Sequence, residues 1–287
     1  MLDRPDLIYR YDGSFEGLMC CVYESFYKRE MPLSIISREE AQQSLFEARE
    51  IVTDNAKAAR VMKAVKEKIS GEAMRLVYRA YLTDLRDREV HILRFLVLGF
   101  KCGAKVLKML TDDRVAILYK AVTRLGNEAE LLRGFVRFSD FGGGLVATIE
   151  PKNSVLPLLK HHFMSRYPGG SFIIYDKTHR LALVVYKGQS RIVQADDFVP
   201  PSPEMDELRY RAMWKRFYNT IAVEGRENPK CRMSHMPKRY WAHLTEMQEI
   251  SDSGRLAGDD KAALKSVQEK RGKIKTRAVN FDCQELV

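Results

Sequence analysis

Apolar residues recur along this chain mostly at the three-to-four spacing of a helix face, broken by short stretches of alternation that mark strands. Leu7 to Tyr11 reads as a strand, Asp12 and Gly13 as a turn, and Ser14 as the cap of a helix. Phe15, Leu18, Met19, Val22 and Phe26 then share one helical face, and Lys28, Arg29 and Glu30 close it. From Arg38 to roughly Leu125 the pattern stays helical and almost free of Pro and Gly, with Leu76, Val77 and Tyr81, and later Ile92, Phe95 and Leu96, on common faces. Several packed helices are expected there. The mixed charges Asp84, Arg86, Asp87, Arg88 and Glu89 read as a solvated face or a junction.

At Phe135 the period changes to two. The segments 135–138 and 145–150, around a loop from Ser139 to Gly144, predict a β-hairpin. Gly142, Gly143 and Gly144 lack the GK[ST] ending of a phosphate loop and lead into a strand, so a hairpin tip is the expectation. Ser154 is suited to cap a helix that buries Val155, Leu158, Leu159, His162 and Phe163. A second hairpin follows at Phe172 to Asp176 and Leu181 to Lys187, with a further strand at Arg191 to Gln194. The fold class is therefore α+β, mainly helical, with a small antiparallel sheet built from the N-terminal strand and two hairpins around 134–150 and 172–194. Residues 1–249 are expected to form one compact domain, with a sub-boundary allowed near 197–205, followed by a mobile charged tail at 250–287.

Pro200, Pro201 and Pro203 make a rigid joint before the last long helix. That helix carries Tyr210, Met213, Trp214, Phe217, Tyr218 and Ile221 on one stripe, with Arg209, Arg211, Lys215, Arg216 and Asn219 largely on its other sides. Such a stripe more often faces a core than a ligand, and the sequence leaves open whether these aromatic side chains are buried or exposed.

Charge changes that picture. The chain has 287 residues and a net charge of +10, with 45% hydrophobic residues, enough to bury one large or two modest cores. Residues 1–150 hold 24 basic and 22 acidic side chains against 24 and 16 in residues 151–287, so the halves carry +2 and +8. A localised basic surface is one reading, and scattered charge that keeps the protein in solution is the other. Between Glu207 and Trp241, Arg and Lys interleave with Tyr, Trp and Phe, a combination that suits phosphates and stackable bases together. Cys20, Cys21, Cys102, Cys231 and Cys283 form no CxxC or zinc-knuckle spacing, so no metal site and no cofactor is expected. Their odd number without a secretory signal points to a reduced, cytoplasmic protein. The longest apolar run, Ile92 to Phe100, contains Arg94 and is too short to cross a bilayer, so no membrane partner is expected.

Three constellations are candidates for chemistry. His161 and His162 diverge by about 100° on a helix and cannot share a metal as residues four apart do. His162 falls on the apolar face and is expected to be buried, while His161 lies nearer the polar side; either suits a base or a nucleic-acid contact. The loop carrying Arg226, Asn228 and Pro229, with Met236, Pro237, Arg239, Tyr240 and Trp241 beyond it, suits a phosphate at a helix start or plain capping and packing. Asp12, Ser14 and Glu16 meet at the first helix, where capping is the simpler role.

The same stretches carry a resemblance. IYRYDGSFEGL, the run from GFVRF through VATIEPKNSVLPLLKHHF to FIIYD, and RENP followed by MPKRYW resemble a bacterial family classed under DNA metabolism, the domain of unknown function numbered 4130. The resemblance runs from Leu7 to about Glu249. It implies a DNA repair or modification setting, because family members tend to be encoded beside a DNA modification or repair radical SAM protein. Related domains occur fused to uracil-DNA glycosylase-like domains. No reaction, cofactor or catalytic residue comes with it, and its match at Asp12, Ser14, His161, His162, Arg226, Asn228, Arg239 and Trp241 assigns no role. These 287 residues contain no CxxxCxxC cluster, and no glycosylase-like extension is expected, so radical chemistry would belong to a separate partner.

Three functions are therefore carried forward. The first is a DNA-binding accessory protein that presents DNA to a partner such as a radical SAM protein, with Arg209, Arg211, Lys215, Arg216 and Arg239 on phosphates and Tyr210, Trp214 or Trp241 stacking where exposed. The second is a DNA-acting, glycosylase- or hydrolase-like enzyme using His161 or His162 as general base, assisted by Asp12 or Glu16. The third is a scaffold whose basic face docks an acidic protein.

Overall fold

The computed structural model describes residues 1–38, 46–141, 144–200, 202–223, 225 and 227–248. The chain divides into two compact units, Met1–Asn127 and a second that begins at Glu128.

The first unit opens with β1 (Leu2–Tyr11) and α1 (Phe15–Lys28), then β2 (Glu30–Ser37) and β3 (Glu47–Glu50). Ser14 caps α1 as expected, its hydroxyl accepting the Gly17 amide at 2.9 Å. Arg29 ends the helix in the left-handed region at φ 56° and turns the chain straight into β2. The three strands lie in the order β2-β1-β3 with both pairings parallel. This corrects the expected sheet: β1 does not join the hairpins, because α1 carries the chain back over the sheet and a crossover of that kind makes its strands parallel. β3 also interrupts the stretch read as wholly helical; its sequence EARE has no apolar alternation to announce it, and its partner is remote in sequence. Leu7, Tyr9 and Tyr11 are fully buried in the central strand, and the Phe15 ring meets Tyr78 edge-on at 5.2 Å. Helices α2 (Asn55–Lys68), α3 (Gly71–Tyr81) and α4 (Arg88–Cys102) follow, then a 3-10 turn at Gly103–Lys108 and α5 (Asp113–Phe135), which crosses the boundary between the units.

The second unit is built on β4 (Ser139–Asp140), β5 (Leu145–Ile149), α6 (Leu156–Arg166), β6 (Phe172–Asp176), β7 (Leu181–Tyr186) and β8 (Gln189–Gln194), with strand order β4-β5-β6-β7-β8. The sheet is mixed and not antiparallel throughout: β5 and β6 run parallel because α6 connects them, while the other pairs are antiparallel. The first hairpin is shorter than expected, since Phe135 ends α5 and β4 has only two residues; Gly142 and Gly143 lie outside the described residues. Ser154 is not the cap of α6. Val155 takes that position without a side-chain bond, and Pro157 in the first turn presets the helical backbone.

After Pro203 come α7 (Met205–Ile221), α8 (Pro229–His235) and 3-10 turns at Lys238–His243 and Thr245–Met247. Pro201 and the expected tail at 250–287 lie outside the described residues. Among those described, no helix is long and apolar enough to cross a membrane.

Candidate nucleic-acid interface

Helix α7 is held to its unit by polar side chains. Glu207, Arg211, Trp214 and Lys215 follow each other at steps of four, three and one, which gathers them on one side of the helix. Glu207 accepts the backbone amide of Asp140 at 3.1 Å and Nε of Arg211 at 2.8 Å. Arg211 also donates to the Ser139 hydroxyl at 2.5 Å, and Lys215 to the Gln248 carbonyl at 2.5 Å. Trp214 donates its indole Nε1 to Glu246 at 3.1 Å. Glu246 is buried and also receives Arg137 through two nitrogens at 2.7 and 3.2 Å. Burial works to raise the Glu246 pKa, but the bonds from Arg137, its own backbone amide and Trp214 prevail and hold it below the ordinary value.

This anchoring decides between the two readings of the aromatic stripe, which is not core. None of the residues of α7 is buried, and Tyr210, Met213, Phe217 and Ile221 are between 54% and 67% exposed. The anchored side and the stripe lie about 100° apart around the helix, so fixing one leaves the other to solvent. Trp214 sits between them, bonded to Glu246 and tilted against Phe217 with ring centroids 5.8 Å apart. On the far edge of the stripe Arg209 pairs in the open with Asp206 at 3.1 Å, and Arg216 is exposed with no side-chain partner among the described residues.

The other nucleic-acid candidates are engaged within the unit. Arg239 lies 2.9 Å from the buried carboxylate of Glu128 and stacks over the Tyr240 ring at 4.5 Å. Glu128 further accepts the amides of Lys152 and Asn153 at 3.0 and 2.9 Å. Burial opposes its charge, yet these bonds and Arg239 hold its pKa below the ordinary value, while burial beside Glu128 pushes Tyr240 up to about 12. Trp241 is half-buried, donates to the Met236 carbonyl at 2.9 Å, and has Arg232 and Lys238 over its ring at 5.6 and 5.8 Å. Asn228 caps α8 by accepting the Cys231 amide at 3.0 Å. Arg226 lies outside the described residues.

The catalytic candidates are divided between the units. Asp12, in the first, accepts the Ser14 amide and hydroxyl at 3.0 and 2.6 Å and the Thr53 hydroxyl at 2.8 Å. Burial would raise its pKa, but these bonds lower it. His161 is exposed on α6 in the second unit. His162 is half-buried rather than sealed in the core, with its ring edge-on to Phe163 at 4.9 Å. Burial, Arg133 and Arg166 all lower its pKa and favour the neutral ring.

A further pair escaped the sequence reading. Asp176, fully buried at the end of β6, accepts the His179 amide at 3.1 Å and faces His179 Nδ1 at 2.7 Å. Its signal was a lone carboxylate closing the apolar run FIIYD three residues before a turn histidine. Glu150 lies at the end of β5, with Lys177 at 2.8 Å and His243 at 3.2 Å. Among the described residues no group of three or more His, Cys, Asp or Glu side chains is placed to hold a metal ion.

Comparison with the curated proteins and with the solved structures matched nothing. The family model described as Domain of unknown function (DUF4130) matches residues 86–246, more than half of the chain, from the start of α4 to the Glu246 that anchors α7. The YDGSFEG stretch of the first unit falls outside that span, whereas the stretches around GFVRF, KHHF, FIIYD and MPKRYW fall within it, and the chain belongs to the DUF4130 family.

Proposed function

We propose that this protein is a DNA-binding accessory factor in DNA repair or modification, which holds DNA on the outward side of α7 and presents it to a partner enzyme such as a radical SAM protein. The observation that carries the reading is the exposure of Tyr210, Met213, Phe217 and Ile221 beside Arg209 and Arg216, on a helix whose anchoring contacts use its other side. Cations next to exposed apolar and aromatic side chains suit phosphates and bases together. The whole segment 205–243 holds nine Lys or Arg against four Asp or Glu, which adds a long-range attraction for a polyanion. The repair or modification setting and the radical SAM partner come from the resemblance alone.

The test is binding of the purified protein to labelled single-stranded, duplex and uracil-containing DNA across a salt series. Affinity that falls by several decades as salt rises, for ~6 or more phosphate contacts, supports the reading. Absence of binding at low salt overturns it. Arg209→Glu with Arg216→Glu is the charge-reversal variant to use, since Arg211 and Lys215 hold α7 in place.

A catalytic reading is favoured by one observation. The buried carboxylate of Asp176 orients His179, an arrangement suited to a general base, whereas no such orienting carboxylate accompanies His161 or His162 among the described residues. Base release or strand cleavage by the purified protein, lost in His179→Gln with DNA binding retained, would establish it; turnover that persists in that variant removes His179.

A further inference from the structure

We infer that the nucleic acid taken by α7 is single-stranded or locally unpaired, with its bases laid on the stripe of Tyr210, Met213, Phe217 and Ile221 and its phosphates along the edge marked by Arg209 and Arg216. This rests on the nucleic-acid reading above and names the strand state that reading leaves open.

The first argument is chemical. A duplex turns phosphates, sugars and polar base edges outward, and the thymine methyl is the main apolar group in its major groove. Closing such a surface over four large apolar side chains would strip polar groups of water without giving them partners. Unpaired bases instead present flat apolar faces that stack on aromatic rings regardless of sequence. Met213 adds a thioether that adapts its shape to a ring.

The second argument is geometric. From Tyr210 to Ile221 the helix rises by about 16 Å, long enough for several bases in succession. Arg209 and Arg216, two turns apart, lie within about 20° of each other around the axis, so they line a single edge. The opposite edge is closed by the anchoring side chains Glu207, Arg211 and Lys215. One charged edge beside one apolar strip matches a strand whose backbone runs on one side of its bases. A second copy of the chain fits less well, because an antiparallel two-fold pairing of the stripes sets the arginine edge against itself.

The experiment compares a short fluorescein-labelled mixed-sequence single strand, the matching duplex and an abasic strand of equal length, by anisotropy at low salt. The expected result is single-strand affinity at least tenfold above both of the others. Met213→Ser with Phe217→Ser should lower single-strand affinity at least tenfold with the salt slope unchanged, while Arg216→Ala should reduce the slope by about 0.7. Circular dichroism of each variant checks that the total helix content is retained. Duplex bound as tightly as single strand, with the serine variant indifferent, overturns the inference and leaves the DNA-binding reading standing. No binding of any form at low salt takes down that reading itself. A wild-type dimer that the serine variant converts to monomer, with DNA affinity unchanged, assigns the stripe to self-association and also overturns the inference.

Discussion

Trp214 donates its indole nitrogen to Glu246 over 3.1 Å, and Glu246 is the carboxylate on which Arg137 closes at 2.7 Å. The bond joins a helix with no buried residue to a buried charge. It helps explain how α7 keeps its place with none of its residues fully buried, and why Tyr210, Met213, Phe217 and Ile221 are left outward.

Replacing Glu246 by Gln should loosen this attachment. The amide keeps the size and one acceptor, but Arg137 loses its counter-charge in a partly buried position. The second unit should lose about 3 kcal/mol, measured as a lower urea midpoint. Trp214 emission should move toward that of a solvated indole in the native state.

Acid should act through the same groups. Glu128 and Glu246 both have folded pKa values below the ordinary 4.5, so the stability they contribute is complete above about that pH and is lost as pH falls through their lowered values. Urea midpoints measured between pH 7 and pH 3 should fall in the wild type and fall less in Glu246→Gln. Equal slopes for the two proteins would refute the assignment.

Arg211 and Arg216 should separate by function although they are one and a half turns apart. Arg211→Ala removes bonds to Glu207 and Ser139 and should cost about 1–2 kcal/mol. Arg216→Ala should stay within about 0.5 kcal/mol of the wild type and show its effect in the salt dependence of DNA binding. Denaturation and anisotropy on the two purified variants make the comparison.

Gly17→Ala should destabilise the first unit by about 1–3 kcal/mol. A methyl group at this position meets the Asp12 carboxylate and approaches both the Thr53 hydroxyl and the Tyr11 ring to 2.9 Å. The thermal midpoint should drop, and Ser14→Ala should produce a smaller loss of about 1 kcal/mol by removing the helix cap.

The elements that were legible in the sequence are those whose information is local. Ser14 and the Phe15–Leu18–Val22 face announced α1, and the apolar runs at Phe172 and Leu181 announced β6 and β7. Strand direction was not legible, because it depends on what the crossover helices α1 and α6 do in space. β3 was missed because pairing with β1, and no periodicity of its own, makes it a strand. The apolar stripe on α7 is legible in the sequence but its exposure is not, and Tyr218, which the pattern puts on the stripe, is half-buried. The exposure of the stripe is set by Glu246, Ser139, Asp140 and Gln248, which meet the helix from distant points in the chain. Buried carboxylates such as Glu128 and Asp176 look in sequence like any surface acid; only the amides and cations gathered around them show otherwise.

The bond from the Asp140 amide to Glu207 bears on how copies of this protein behave in a crowded solution. β4 is one of the two edge strands of its sheet, and an edge strand with vacant amides is a template on which another polypeptide can add itself. Glu207 accepts the Asp140 amide, which faces away from β5 on that two-residue edge. Conditions or variants that release α7 would therefore uncover a site for strand addition along with the unfastened helix, and aggregation should follow detachment closely. Holding α7 in place would thereby also help to keep like molecules apart.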